Sequence, residues 1–171
     1  MPEGARRTED ALLQLQDSMK HVHKSVLLWY SPREMFDLVV GIEAYPVFLP
    51  WCQSAEVLEQ RDDGVVAKLG LSYMGLRQSF TTRNQNVDAA SVQLQLVDGP
   101  FSVLEGHWRF TQLGTPAATG VVQAACKIDF DMRYDFSSRA LEAVVSPVFD
   151  KVANTFVDSF VRRAEVVYGP R

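Results

Sequence analysis

The sequence predicts an α+β fold in which a curved, seven-stranded antiparallel sheet wraps around one long C-terminal helix. Two observations carry this. Six successive stretches between residues 54 and 133 alternate apolar with polar residues and are separated by turn signals, the pattern of an antiparallel meander with one dry face. Residues 146–168 instead repeat apolar positions at steps of three and four, so an amphipathic helix of about six turns needs that dry face to cover its stripe.

Residues 1–18 mix charges of both signs with Gly, Pro and Gln. They are expected to form a flexible tail, with Ala11, Leu12 and Leu15 supplying at most one helical turn, ahead of a single domain over 19–171. His21–Tyr30 reads as the first strand, with Val22, Val26 and Leu28 on one face and Lys24 on the other. Ser31-Pro32-Arg33-Glu34 has the spacing of a capping box, and Met35, Phe36, Leu38, Val39 and Ile42 continue it as a short helix.

The next stretch, Tyr45-Pro46-Val47-Phe48-Leu49-Pro50-Trp51-Cys52, is apolar although its two prolines argue against a helix. Loops are normally polar because they run over the surface, so an apolar loop either plugs a core or lines a binding site. The spacing favours a mouth or lid that presents aromatic side chains to a ligand or a membrane surface.

The six meander strands follow. Ser54–Arg61 turns through Asp62-Asp63-Gly64 into Val65–Met74, where Val65, Ala67, Leu69, Leu71 and Tyr73 share a face. Gly75 leads to Arg77–Val87, with Phe80, Thr82 and Asn84 on one side. Ser91–Val97 sets Val92, Leu94 and Leu96 against Gln93 and Gln95. Asp98-Gly99-Pro100 turns into Ser102–Thr111, whose Leu104, Gly106, Trp108 and Phe110 face one way. Thr119 to about Arg133 is the longest strand, with Val122, Ala124, Cys126, Ile128, Phe130 and Met132 inward.

Ser137–Val145 is helical, and Pro147 is expected to interrupt it so that Ser146-Pro147 restarts the terminal helix as cap and first position. Phe149, Val152, Ala153, Phe156, Phe160, Ala164 and Val167 form the stripe. Lys151, Asn154, Asp158, Arg162 and Glu165 form the opposite face, and Gly169-Pro170 ends the helix. One long helix gripped by a curved sheet satisfies all of these faces.

Composition narrows the function classes. Of 171 residues, 47% are hydrophobic and 22% charged, the balance of a soluble globular chain. A net charge of −4 without a run of Lys or Arg argues against a DNA partner. Neither a membrane-spanning stretch nor the layout of a signal peptide is visible, so a cytoplasmic chain is expected. Cys52 and Cys126 fit a reducing compartment.

Catalytic and metal chemistry find little support. His21 and His23 share a strand face without a third ligand, and His107, Asp129 and Asp131 point outward. No phosphate-cradling glycine loop or Ser/His/Asp layout is present. The expectation is a non-enzymatic protein that needs no cofactor or metal.

Several of these stretches also resemble a known family. Ser31–Val39, the Tyr45–Cys52 run, Gly99-Pro100-Phe101 before Gly106-His107-Trp108-Arg109-Phe110, Pro147-Val148-Phe149 and Phe160-Val161-Arg162-Arg163-Ala164 are similar to the signature of the coenzyme Q-binding proteins. These belong to the START and polyketide-cyclase superfamily, and the similarity covers residues 20–169. Bacterial members also resemble the RatA-type ribosome association toxins. The resemblance implies a helix-grip fold, a hydrophobic ligand such as ubiquinone, a supporting role in respiration and peripheral contact with the inner membrane.

With the inward faces, it implies a ligand site built from Tyr45, Phe48, Leu49, Trp51, Leu69, Leu71 and Phe80. Leu94, Leu96, Phe101, Trp108, Phe110, Phe130, Val152 and Phe156 complete that set, with Thr82 and Asn84 as polar handles. Two alternatives stand beside this reading. One is a ribosome-directed regulator working through Lys151, Arg162 and Arg163 on the outer helix face; the other is a cyclase-like enzyme. A dry void lined by Phe156, Trp108 and Phe48 favours a carrier, and a filled interior favours a protein that acts through its surface.

Overall fold

A computed structural model describes residues 5–10, 19–114 and 124–171. Seven strands form one antiparallel sheet: β1 (Lys20–Leu28), β2 (Cys52–Arg61), β3 (Gly64–Tyr73), β4 (Leu76–Val87), β5 (Ser91–Asp98), β6 (Phe101–Gln112) and β7 (Cys126–Phe136). Their order, β1-β7-β6-β5-β4-β3-β2, is the expected meander with the first strand added beside the last. Register breaks in β2, between Thr81 and Thr82 of β4 and between Phe101 and Val103 of β6 interrupt the ladders, and such breaks bend and twist strands locally.

Between β1 and β2 lie α1 (Pro32–Val40), a 3-10 turn (Ile42–Ala44) and α2 (Tyr45–Phe48). The α1 capping box is complete: Ser31 Oγ accepts from Glu34 N at 3.1 Å, and Glu34 Oε1 accepts from Ser31 N at 3.0 Å. The Tyr45–Cys52 stretch is not the helix-free loop expected from its prolines. Pro46 falls in the first turn of α2, where its missing N–H breaks no bond.

The terminal helix also differs from expectation. It is one element, α3 (Arg139–Tyr168), capped by Ser138, whose hydroxyl accepts from Leu141 N at 3.1 Å. Pro147 lies inside it without restarting it. Pro147 and Ala143, four residues earlier, both sit on the exposed side, so the carbonyl left without a partner faces water. The buried stripe runs from Val145 to Ala164 and omits Val167, which is 46% exposed. Gly169, at φ 86°, ends the helix as expected.

Within the described residues the seventh strand begins at Cys126, opposite Leu28 of β1 and Gln112 of β6; the expected start at Thr119, with Val122, lies outside the described residues. Lys24 shares the inner face with Val22 and Val26, as the two-residue period of a strand requires. The inner face and α3 enclose the core, centred on Trp108, whose ring lies 4.5 Å from Phe130, 5.2 Å from Phe160 and 5.6 Å from Phe156. Burial of each such ring contributes roughly 1.5–3 kcal/mol. Ala11, Leu12 and Leu15 lie outside the described residues; residues 5–10 are helical and exposed.

Candidate functional site

The space between α3 and the sheet holds a cavity of about 40 Å³, room for a few water molecules. Pockets that hold a small-molecule ligand run to roughly 300–1,000 Å³. Eight of the residues expected there line the void: Tyr45, Trp51, Leu69, Phe80, Leu94, Trp108, Val152 and Phe156. Thr82 and Asn84 join them, both buried, with Thr82 Oγ1 donating to Asn84 Oδ1 at 2.8 Å.

The other expected residues are placed elsewhere in the core or at its margin. Phe101 packs on Phe80, Phe136 and Phe149; Phe110 meets Phe36 and Trp108; and Phe130 lies behind Trp108. Phe48 contacts Tyr45 and Phe160, with the Arg163 guanidinium 5.3 Å above its ring. Leu49 and Leu71 are buried outside the lining, and Leu96 is half-buried.

Six lining residues were not assigned to the site from sequence: Ile42, Ala67, Leu104, Gly106, Met132 and Phe149. For Ala67, Leu104, Gly106 and Met132 the signal was strand parity, since Ala67 shares a face with Leu69 and Met132 with Phe130; Ile42 and Phe149 lie in helical segments and carried only their apolar spacing. Gly106 matters for shape. A Cβ there would come within 2.9 Å of Leu94 Cδ1 on the paired strand.

The apolar Tyr45–Cys52 stretch presents no aromatic lid. Tyr45, Leu49, Trp51 and Cys52 are buried, Phe48 is half-buried, and Val47 is the exposed large side chain. The Tyr45 hydroxyl donates to the Val39 carbonyl, and burial raises its pKa far above the usual phenol value. Trp51 is anchored through its carbonyl, which accepts from Ser72 N at 2.8 Å, whereas its buried Nε1 has no partner among the described residues. Cys52 and Cys126 are free and buried, and burial pushes each thiol up to about 11, so both stay protonated at neutral pH.

All three histidines gather on the outer sheet face. His23 Nδ1 is hydrogen-bonded to Asp131 Oδ1 at 2.8 Å, His21 Nε2 lies 3.4 Å from the same oxygen, and Arg109 reaches Oδ2 at 3.0 Å. The His23 bond holds the Asp131 carboxyl below the usual range despite its partial desolvation. His107, opposite Asp131 on β6, has its pKa lowered by burial and by Arg109. Among the described residues no group of three or more His, Cys, Asp or Glu is placed to hold a metal, and no helix is long and apolar enough to cross a membrane.

Residues 28–161 match the family model described as polyketide cyclase / dehydrase and lipid transport. The chain belongs to that family. The ribosome association toxin RatA of Pseudomonas aeruginosa is 41% identical over 149 residues, which cover 87% of this chain and 98% of the relative. A mitochondrial coenzyme Q-binding protein of Xenopus laevis, COQ10 homolog B, is 27% identical over 147 residues, covering 85% of this chain and 58% of that protein. A START superfamily protein of Mycobacterium smegmatis superposes with a TM-score of 0.69 over 86% of this chain and 98% of its own, at 18% identity, a likeness of fold alone. The polyketide cyclase / dehydrase and lipid transport family thus includes the helix-grip architecture assembled above.

Proposed function

We propose that this chain is a non-enzymatic regulator of ribosome association that acts through its outer surface. The observation that carries this reading is the nearly filled interior: about 40 Å³ of void leaves no room for a guest in this state. The end-to-end similarity to the Pseudomonas protein supports it. Its place of action is then the cytoplasm, and its partner a ribosomal subunit. The outer helix face contributes Lys151 and Arg162, both exposed; Arg163 is half-buried over Phe48 and is the weaker choice as a contact. The test adds the purified full chain to separated small and large ribosomal subunits under conditions that permit their association. Loss of the joined particle on a sucrose gradient is expected, and an unchanged profile removes the proposal.

A second reading has its own observation. The void is lined almost wholly by apolar side chains, yet it holds the buried Thr82–Asn84 pair, whose Asn84 amide nitrogen is a donor that a quinone carbonyl would accept from. On this reading the chain carries ubiquinone or a related hydrophobic molecule, with peripheral membrane contact and a role in respiration, and the interior must open to admit it. The similarity to the Xenopus protein supports it. Organic extraction of protein purified from its native host, followed by mass spectrometry, tests this reading; a chain that never carries or takes up a quinone loses it.

A further inference from the structure

A groove of about 260 Å³ runs along the outer side of α3, between the helix, Tyr73 at the end of β3 and the Pro50–Trp51 turn. Two residues, Trp51 and Val152, line both this groove and the interior cavity. They are a shared wall between the surface and the void.

The Trp51 side of that wall is held by its backbone and by packing on Phe156, whose ring centroid lies 6.0 Å away. The Trp51 backbone is tied to β3 through Ser72, but among the described residues its ring makes no hydrogen bond. Trp51 is 6% exposed, and among the described residues its buried N–H meets no acceptor, which leaves a desolvated donor at a free-energy cost. An incoming acceptor atom removes that cost.

The groove's charge names the occupant. Lys151, Thr155, Ser159 and Arg162 follow one another at steps of four, four and three, forming a polar edge about 16 Å long. The two hydroxyls bond back to helix carbonyls, Thr155 to Lys151 O and Ser159 to Thr155 O. The cations remain available: Lys151 Nζ meets the neutral Tyr73 hydroxyl at 3.1 Å, and Arg162 reaches Ser159 Oγ at 3.5 Å. Among the described residues no carboxylate lines the groove, in a chain whose net charge is −4.

We propose that this groove binds a single-chain amphiphile with an acidic head, and that Trp51 is the gate through which its apolar chain passes into the interior. The head lies along the Lys151–Arg162 edge, where it competes with Tyr73 for Lys151. The Trp51 N–H donates to a head-group oxygen as the ring turns aside, joining groove and cavity. This inference rests on the reading that the interior admits a hydrophobic guest, and it adds the class of guest and the door.

The experiment titrates the full chain by calorimetry with three probes: oleate, oleyl alcohol and decylubiquinone. Oleate is expected to bind about ten-fold more tightly than oleyl alcohol, and Lys151→Gln with Arg162→Gln to erase that preference. Trp51→Phe, which keeps an aromatic ring but lacks the N–H that meets the head group, should weaken oleate binding by about five-fold. Equal affinity for acid and alcohol, a preference that survives the double substitution, or an oleate affinity unchanged by Trp51→Phe overturns the proposal. If decylubiquinone binds and oleate does not, this proposal alone falls; if none of the three binds, the hydrophobic-guest reading falls with it.

Discussion

The Tyr134 hydroxyl donates a 2.6 Å hydrogen bond to the Asp150 carboxylate, tying the C-terminal end of β7 to the first half of α3. Lys20, the first residue of β1, reaches the other carboxylate oxygen at 2.6 Å, and Ser146 donates to it at 3.1 Å. One carboxylate therefore joins first strand, last strand and terminal helix. Burial alone would raise the Asp150 pKa, but its bonds from Lys20, Tyr134 and Ser146 hold it below the usual range. The Lys20–Asp150 pair is a third exposed and adds little by itself. The buried Tyr134 hydroxyl is the part that matters. Tyr134→Phe should cost about 1 kcal/mol and Asp150→Ala about 2 kcal/mol, with the double variant no worse than the second alone. Urea unfolding measures all three, and simple additivity would show that the two groups act independently.

Gly99 is the tightest backbone position in the β5–β6 turn. Its φ is 150°, and a Cβ placed there would meet the Phe80 Cβ at 2.7 Å. Phe101, two residues on, stacks on Phe136 at 5.3 Å and meets Phe149 at 4.8 Å, so the turn sets three rings of the core. Gly99→Ala should cost roughly 1–3 kcal/mol. Gly75 supplies the control: its φ is 81°, but no atom lies within 4 Å of an added Cβ, so Gly75→Ala should cost about 1 kcal/mol for the backbone alone. Equal melting temperatures for the two variants would contradict the steric account.

The contrast between these glycines also marks what sequence can reveal. The strand faces were legible because a two-residue period assigns Leu69, Phe80, Trp108 and Phe130 inward whatever the register. Pairing order was legible because short turns leave consecutive strands little choice. The helix start was not, because Ser138 and Ser146 are both plausible caps, and only the exposure of Ala143 and Pro147 shows that the helix runs through the proline. The cavity was half legible for a similar reason. Parity states which side of the sheet Leu71 and Ala67 face, but depth along the strand decides that Ala67 touches the void and Leu71 does not. Trp51 was marked by its apolar surroundings; its unpaired N–H is a product of packing and has no sequence signal.

The Thr82–Asn84 pair permits a separation of stability from binding. Each satisfies the other in an apolar surround, so removing one partner strands a buried polar atom. Thr82→Val should therefore destabilise by about 1 kcal/mol, while Thr82→Val combined with Asn84→Leu should recover much of that loss. A quinone that uses these groups as handles should lose affinity in the double variant although the fold is intact. Thermal melts beside decylubiquinone titrations check both halves, and unchanged affinity would place the quinone contact elsewhere.

Glu34 links the α1 capping box to the end of the chain. Its two oxygens accept from Arg171 at 2.8 and 2.9 Å, and this hydrogen-bonded pairing, aided by Ser31, holds its pKa below the ordinary value of 4.5. The sign follows from linkage. A carboxyl whose folded pKa is depressed contributes stability that is fully present above its unfolded value and is lost as pH falls through the folded value. Arg171→Ala should therefore lower the melting temperature by a constant amount at pH well above 4.5, and the difference from the native protein should shrink toward zero in stronger acid. The Arg171 guanidinium also lies 5.0 Å from the Tyr30 ring centroid, a contact that does not titrate in this range. A melting difference that persists undiminished at low pH would assign the contribution of Arg171 to that ring instead of to Glu34.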